Sequence, residues 1–447
     1  MLAGFASIDI TPPAGAVLNG FIARTSASTG IDTPLSARAL VLDDEPTRAA
    51  LVSFDLLALS PALADRLVAK LGSLLDIPSD QVVLASTHTH SGPMTARLRG
   101  IGDEDAPYLA RLERAAMLAA QGALADLQPV QASWGSASVK LAHNRRQETL
   151  GPEGLSVILG RNPTGPTETA VRVLSLRGVN RSILLFHHAC HPYCLGGDST
   201  LISADFWGYA AEALTAQGHA CIYLNGCCGD LSPELAFGGP EAARATGQLL
   251  AEAVLRGLRA SRQSHRDTLA VQSHRFSLHY DRMPPIQQIK AELGRADKTV
   301  RDSERDNPVV VEKVRRAWRE WLAELEAVLS SNGQLPPLPV RISILRVGDG
   351  AIVALPGEVF YESGRDLAAC LKAEPVCVAG YCHGYIGYVP TPESFPLGGY
   401  EVEEAHRYIG LWRVSPQTTS LIRDQVLSLW NSCGGAIHEQ GCVTGRT

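Results

Sequence analysis

Val82-Val83-Leu84-Ala85-Ser86-Thr87-His88-Thr89-His90-Ser91-Gly92-Pro93 is a run of apolar and small residues that meets two histidines and then a Gly-Pro stop. The pattern predicts a buried strand emptying into a loop. In extended backbone, residues i and i+2 share a face, so His88 and His90 are expected to point at one object. Paired histidines at a buried strand end suit a metal or a proton-transfer site.

Working outward, residues 37–42 and 50–54 read as strands about the acidic turn 43–46, with Asp55 at the end of the second. Residues 62–74 carry Leu63, Leu67, Val68, Leu71 and Leu74 at helical spacing. The segment is thus a strand–helix–strand unit, expected to be parallel. Ligand sites in open α/β sheets collect at strand carboxyl ends, where Asp55, His88 and His90 fall.

The theme returns further along the chain. After an Ala-rich helix at 107–127 and a strand at 130–135 comes the polar run His143-Asn144-Arg145-Arg146-Gln147. A hairpin of 171–176 with 182–186 runs into His187-His188-Ala189-Cys190-His191-Pro192. A helix at 206–217 precedes a strand at 221–224, which ends in Asn225-Gly226-Cys227-Cys228-Gly229-Asp230-Leu231-Ser232-Pro233. Helix 240–258 and strand 269–280 follow. The charged region 285–335 reads as a helical hairpin outside the main body, either a lid or a packing appendage. Strands at 340–345 and 351–355 lead to Pro356-Gly357-Glu358, a helix to 371, a strand at 375–380 and an aromatic loop at 381–390. The last helix is expected to have Ser415 as its N-cap and Pro416 at its first position. The fold class is α/β, with mixed β-sheets flanked by helices.

Composition excludes some roles. With 40 basic against 46 acidic residues, a net charge of −6 and no basic block, nucleic acid is not an expected partner. Ten scattered cysteines without a CxxC pair read as reduced thiols. Residues 1–13 lack an export signal, and no apolar run approaches the roughly 20 residues needed to span a bilayer. A cytoplasmic location without a transmembrane segment is therefore expected.

Several motifs together resemble the catalytic domain of the neutral (non-lysosomal) ceramidases, zinc enzymes that cleave the amide bond of N-acylsphingosine. Thr87-His88-Thr89-His90-Ser91-Gly92-Pro93 is similar to that family's first histidine motif. His191 lies fourteen residues before Asp205 in Ile202-Ser203-Ala204-Asp205-Phe206-Trp207-Gly208-Tyr209, a spacing the family keeps. Gly229-Asp230-Leu231-Ser232-Pro233 and Leu355-Pro356-Gly357-Glu358 resemble the segments of its serine and its zinc glutamate, and Tyr388 and Tyr400 keep its tyrosine spacing of twelve. The five motifs stand in the family's order over residues 1–410.

The resemblance implies one zinc per chain held by His88, His191, Glu358 and Tyr388. It leaves Ser232 two roles, nucleophile or hydrogen-bond donor to water and oxyanion. His90 would act on the oxyanion or the leaving nitrogen, Arg145 would supply a fixed positive donor, and Tyr400 would line the pocket. Asp55, Asp205 and Asp230 are candidates for orienting the histidines, or for capping turns. The implied substrate is a small-molecule or lipid-like N-acyl compound such as ceramide.

The chain departs from the family in places. It is read as a single catalytic domain over 1–447 with a helical insertion at about 285–335, and without the family's C-terminal β-sandwich. His383-Gly384-Tyr385 stands where the family has Asn-x-Tyr, and Val402-Glu403-Glu404-Ala405-His406-Arg407-Tyr408 is expected to add polar groups to the channel. These features admit a smaller polar amide or ester as substrate. Other classes are a metal-free serine hydrolase using Ser232, disfavoured by the missing Gly-x-Ser-x-Gly elbow, and a non-catalytic binding protein.

Overall fold

Strands such as Val82–Ser86 and Gly350–Ala354 are buried along their whole length and need cover on both faces. The computed structural model, which describes residues 1–151, 154–179, 181–294 and 307–438, shows how they get it.

Three mixed sheets form the body. The first has the order Val82–Ser86, Arg48–Phe54, Ser36–Asp43, Leu2–Asp9, Gln128–Pro129. The second runs His219–Asn225, Ser182–His188, Ala170–Arg177, Gln131–Ser138, Arg262–Gln263, and the third Leu269–Leu278, Leu338–Val347, Gly350–Ala354, Val376–Ala379. In each, the pair at one edge is parallel and the other pairs are antiparallel. A helix joins the two strands of each parallel pair: Pro61–Leu75, Phe206–Thr215 and Tyr361–Cys370 respectively.

Alternate residues along these strands serve two cores. Val52, Leu84, Leu184 and Phe186 pack with the covering helices. Their neighbours Leu51, Val83, Ile183 and Leu185 meet Ile222, Leu345 and Ile352 in a core shared by the three sheets. The outer face of the third sheet, through Ile342, Ile344 and Val353, is closed by Leu367 and by Ile422 and Val426 of helix Thr418–Ser432. The bridges Ala85–Cys382 and Gly226–Ala379 tie the carboxyl ends of the parallel pairs together, so the loops that leave them converge.

Some elements differ from the sequence reading. Leu2–Asp9 is a strand, and the polar run at 143–147 belongs to the strand Ala142–Gly151 of a hairpin with Gly154–Asn162. The last helix starts at Thr418, not 416. Ser415 and Gln417 form the turn before it, and the Ser415 carbonyl accepts from Thr418 N at 2.9 Å. Region 285–335 supplies helices Ile286–Gly294 and Pro308–Asn332, with 295–306 outside the described residues. The second helix packs Val314, Ala317 and Trp318 on Ile22 and Tyr408, while its Glu324 pairs with Arg97 and Arg99. No helix among the described residues is long and apolar enough to cross a membrane.

Two buried histidines outside the site couple this packing to pH. His187 donates Nε2–H to the Val378 carbonyl at 3.0 Å, and burial pulls its pKa down to about 4. His383, bonded to Ser343 Oγ at 2.7 Å, is pulled by burial to about 3. Both folded values lie below the unfolded value of about 6.5, so the unfolded chain binds more protons in the interval between. Stability is therefore full above pH of about 6.5 and falls as pH drops toward 4, by on the order of a few kcal/mol per histidine. Urea unfolding from pH 7.5 to 4.5 checks this. His187→Gln should flatten the slope, and a slope equal to wild type would count against the assignment.

Candidate metal and catalytic centre

The converging loops deliver His88, His90, His191 and Glu358 to one buried point. The backbone route differs from the pleat expected of the sequence. The strand stops at Ser86, and His88 takes φ 72°, a left-handed conformation in which histidine is among the better-tolerated residues. The turn sets the rings of His88 and His90 at 90° with centroids 4.9 Å apart.

Backbone carbonyls orient all three imidazoles. His88 Nδ1 faces Leu57 O at 2.8 Å, His90 Nδ1 faces Gly20 O at 3.1 Å, and His191 Nδ1 faces Cys228 O at 3.0 Å. A carbonyl can only accept, so each Nδ1 carries the proton and each Nε2 presents a lone pair. Gly20, at φ 98°, allows this approach, since a Cβ there would lie 2.6 Å from His90 Nδ1. Burial holds His90 and His191 well below the ordinary histidine range, and the neighbouring cationic groups act in the same direction.

The lone pairs crowd together. His88 Nε2 is 3.1 Å from His191 Nε2 and 3.3 Å from His90 Nε2. Glu358 Oε2 lies 3.3 Å from His88 Nε2 and 3.5 Å from His191 Nε2. The Glu358 carboxylate is itself held by the Tyr385 hydroxyl on Oε1 and by Tyr381 at 3.5 Å on Oε2. Burial pushes the Glu358 carboxyl up, but His88, Tyr385 and Arg145 outweigh it and leave it below the usual range. With ligand bonds of about 2.0–2.1 Å, a tetrahedral ion separates its donors by about 3.3 Å. The His88–His191–Glu358 triangle has that size, and facing lone pairs without a proton between them repel unless a cation sits there. The donor set fits a metal ion.

Two further groups border the triangle. His90 belongs to the same cluster, its nitrogen within 4.8 Å of the other two. Tyr388 is paired directly beside Glu358 in a short parallel ladder and lines the same cavity. Its hydroxyl accepts from Arg145 Nη2 at 3.0 Å. Arg145 is buried, with Nε on Glu401 Oε1 at 2.9 Å and Nη2 also on Gly229 O at 2.6 Å. Ser232 lies in the same cavity, its Oγ hydrogen-bonded to the Tyr193 hydroxyl, and Tyr400 packs its ring 5.9 Å from that of Tyr388.

The cavity has room for about 290 Å³. Leu57, Leu98, Ile101 and Ile409 line one part of it, and Phe21, Tyr193 and Phe237 cluster in another. Of the charged segment 402–408 only Tyr408 lines it. The polar channel groups expected from sequence point elsewhere: Glu403 turns back to Gly399 N, and His406 packs against Trp321 and Trp412. His383 is also absent from the lining, whereas Tyr385, two residues on, holds Glu358.

None of the three aspartates proposed to orient histidines contacts an imidazole among the described residues. Asp55 accepts from Arg38, Ser36 N and Trp207 Nε1 at the edge of the first sheet. Asp205 accepts from the backbone of Cys194, Leu195 and Phe206, fixing the loop that carries His191. Asp230 accepts from Asn144 and from Tyr361 N. These carboxylates are spent on buried and part-buried N–H groups, and the histidines use carbonyls instead. Tyr193, Tyr381, Tyr385 and Glu401 are the participants that sequence reasoning assigned no role, although Glu401 stands next to Tyr400 and Tyr193 two residues after His191.

Fold and site together define an α/β protein with a buried histidine–carboxylate cluster of metal-binding type beside a buried arginine. The model of the neutral/alkaline non-lysosomal ceramidase family, N-terminal region, matches residues 1–235, and the chain belongs to that family. It is similar to the neutral ceramidase of Pseudomonas aeruginosa, 21% identical over 456 residues that span 89% of this chain and 68% of the relative. Its fold matches the crystal structure of neutral ceramidase from Pseudomonas aeruginosa with a TM-score of 0.69 at 19% identity, over 100% of this chain and 76% of that one. A ceramidase complexed with C2 matches at 0.70 and 17%, over 100% of this chain and 77% of that one.

Proposed function

We propose that the protein is a zinc-dependent hydrolase that cleaves the amide bond of an N-acyl substrate, ceramide or a related compound. The observation that carries this reading is the triangle of His88 Nε2, His191 Nε2 and Glu358 Oε2, sized for one tetrahedral ion, in a chain of the ceramidase family. Tyr388, paired beside Glu358, is the proposed fourth ligand. Bound there, zinc would supply a Lewis acid for the carbonyl and lower the pKa of a water.

The chain's own groups do the rest. Neutral His90, with Nδ1–H fixed on Gly20, keeps a free Nε2 lone pair to take a proton from the attacking water and return it to the leaving nitrogen. Arg145 holds a positive charge next to Tyr388, where it opposes charge developing on the carbonyl oxygen. The apolar wall of Leu57, Leu98, Ile101 and Ile409 suits the acyl chain, and Tyr400 borders it.

The test is metal content measured beside hydrolysis of N-acyl amides from acetyl to palmitoyl, with matching esters. One zinc per chain, with amide hydrolysis lost to chelator and restored by zinc, is the expected result. Chelator-resistant turnover would replace this reading with a serine mechanism. Full loading without turnover on any substrate would make the protein a binder.

A further inference from the structure

We propose, on the amide-hydrolase reading above, that helix Pro308–Asn332 backs the apolar part of the cavity into a blind pocket, so that the substrate is a short-chain N-acyl amide whose acyl group has about eight carbons or fewer.

The helix is fastened to each of the three chain segments that supply this part of the lining. Lys313 Nζ donates to Arg24 O at 2.6 Å, two residues from Ile22. Arg316 Nη2 donates to Gly100 O at 3.0 Å, between Leu98 and Ile101. Trp321 Nε1 donates to Leu411 O at 2.7 Å, two residues from Ile409. Gly100, at φ 77°, lies so close to the helix that a Cβ there would meet Lys313 O at 2.6 Å. Between these bonds Val314, Ala317 and Trp318 pack against Ile22, Ile101, Tyr408 and Ile409, which line the cavity. The helix therefore acts on the pocket through those side chains, and bonds at three points make it a wall, not a lid.

The two parts of the cavity differ in their access to solvent. Ile22, Leu57, Leu98, Tyr385 and Tyr408 are each 7% exposed or less, with Ala58 and Met94 packed on the Leu57 and Leu98 side. In the other part Phe237 is 66% exposed and Leu159 38% exposed. The amine side of a bound amide has an exit there, and the acyl chain has none.

Volume sets the limit. An apolar cavity of about 150 Å³ holds one benzene, which is about 25 Å³ for each carbon. By that measure the cavity of about 290 Å³ takes about twelve heavy atoms. The amide carbon, oxygen and nitrogen and the attacking water use four of them, leaving about eight for the acyl chain at most. A palmitoyl group would need about 400 Å³ for itself.

The test uses the zinc-loaded full chain and N-acyl aminocoumarins from acetyl to tetradecanoyl, below their aggregation concentrations. Each methylene that enters the pocket should raise kcat/KM by about fourfold, and the rise should stop at about octanoyl. Leu98→Ala removes three carbons from the wall and should move the break up by about three carbons. Ile101→Phe adds three and should move it down by about as many. Trp318→Ala, in the layer behind, should also move the break to longer chains, whereas loss of a merely structural residue would slow every chain length by the same factor. Thermal melts show which variants are folded. A rise that continues to tetradecanoyl, a break that stays in place in both lining variants, or a uniform slowing in Trp318→Ala would each overturn the proposal. If the wild-type protein hydrolyses none of the amides, the amide-hydrolase reading fails. Calorimetric binding of the matching straight-chain carboxylates then decides the pocket by itself: affinity that stops rising at about eight carbons supports the wall, and affinity that keeps rising removes it.

Discussion

Glu358→Gln is expected to strip the protein of its metal and to lower kcat/KM on N-acyl substrates by at least about 10³-fold. The substitution keeps the volume of the side chain and an oxygen that can accept from Tyr385. It removes the one negative charge in the His88–His191–Glu358 triangle. The neutral imidazoles of His88 and His191 then face the ion without charge compensation, in a site where burial already disfavours a cation. The fold should survive, because the neighbouring backbone bond from Glu358 N to Gly387 O does not involve the side chain. Elemental analysis, kinetics and a thermal melt on the same preparation check the result. Metal content near one per chain with activity within tenfold of wild type would remove Glu358 from the ligand set.

Strand ends were readable in the sequence because these strands are buried on both faces. Residues 82–85, 183–186 and 351–355 are continuous apolar runs, and each runs on into a segment bearing histidine, cysteine or glycine-rich polar groups. The three ends are brought together by tertiary bridges such as Ala85–Cys382, which leave no local pattern, so only the family resemblance foretold their convergence. Local geometry at the site is less legible in the sequence. The His88–Thr89–His90 step reads as pleat in sequence, whereas the left-handed turn at His88 aims the rings. The hairpin Ala142–Gly151 with Gly154–Asn162 does not read as strand because its first strand carries buried Asn144, Arg145 and Arg146, residues that look like loop in sequence. Their partners lie far away: Glu401 is more than 250 positions on. Tyr385 and Tyr193 are illegible for the same reason, since a phenol that serves a distant carboxylate or hydroxyl has no spacing rule. The three aspartates looked like histidine partners because they sit near the site in sequence. Their oxygens were already committed to backbone N–H groups and arginine, as buried polar accounting requires.

Glu401 carries the second large effect. Its carboxylate has no exposure and is shared by two buried guanidiniums: Arg145 Nε binds Oε1 at 2.9 Å and Arg146 Nη1 binds Oε2 at 2.6 Å. One negative charge thus serves two positive ones, and each guanidinium also donates to a carbonyl, Gly229 for Arg145 and Gly398 for Arg146. Removing one partner of a buried pair typically costs about 3–5 kcal/mol, because the charge left behind is neither solvated nor paired. Glu401→Gln should therefore destabilise the protein by about that amount in urea unfolding. It should also lower kcat, since Arg145 loses the contact that fixes its Nε while its Nη groups address Tyr388 and Tyr193. The two arginines separate these effects. Arg146→Met leaves the Arg145–Glu401 pair intact and reduces the buried charge from +1 to zero, so it should retain most activity and cost less stability than Glu401→Gln. Arg145→Met gives the same charge balance but should lose activity on the scale of a missing oxyanion donor, about 10²–10³-fold. Equal activity in the two arginine variants, or Glu401→Gln within about 1 kcal/mol of wild type, would show that the cluster is a structural ion network with no hold on the reacting groups.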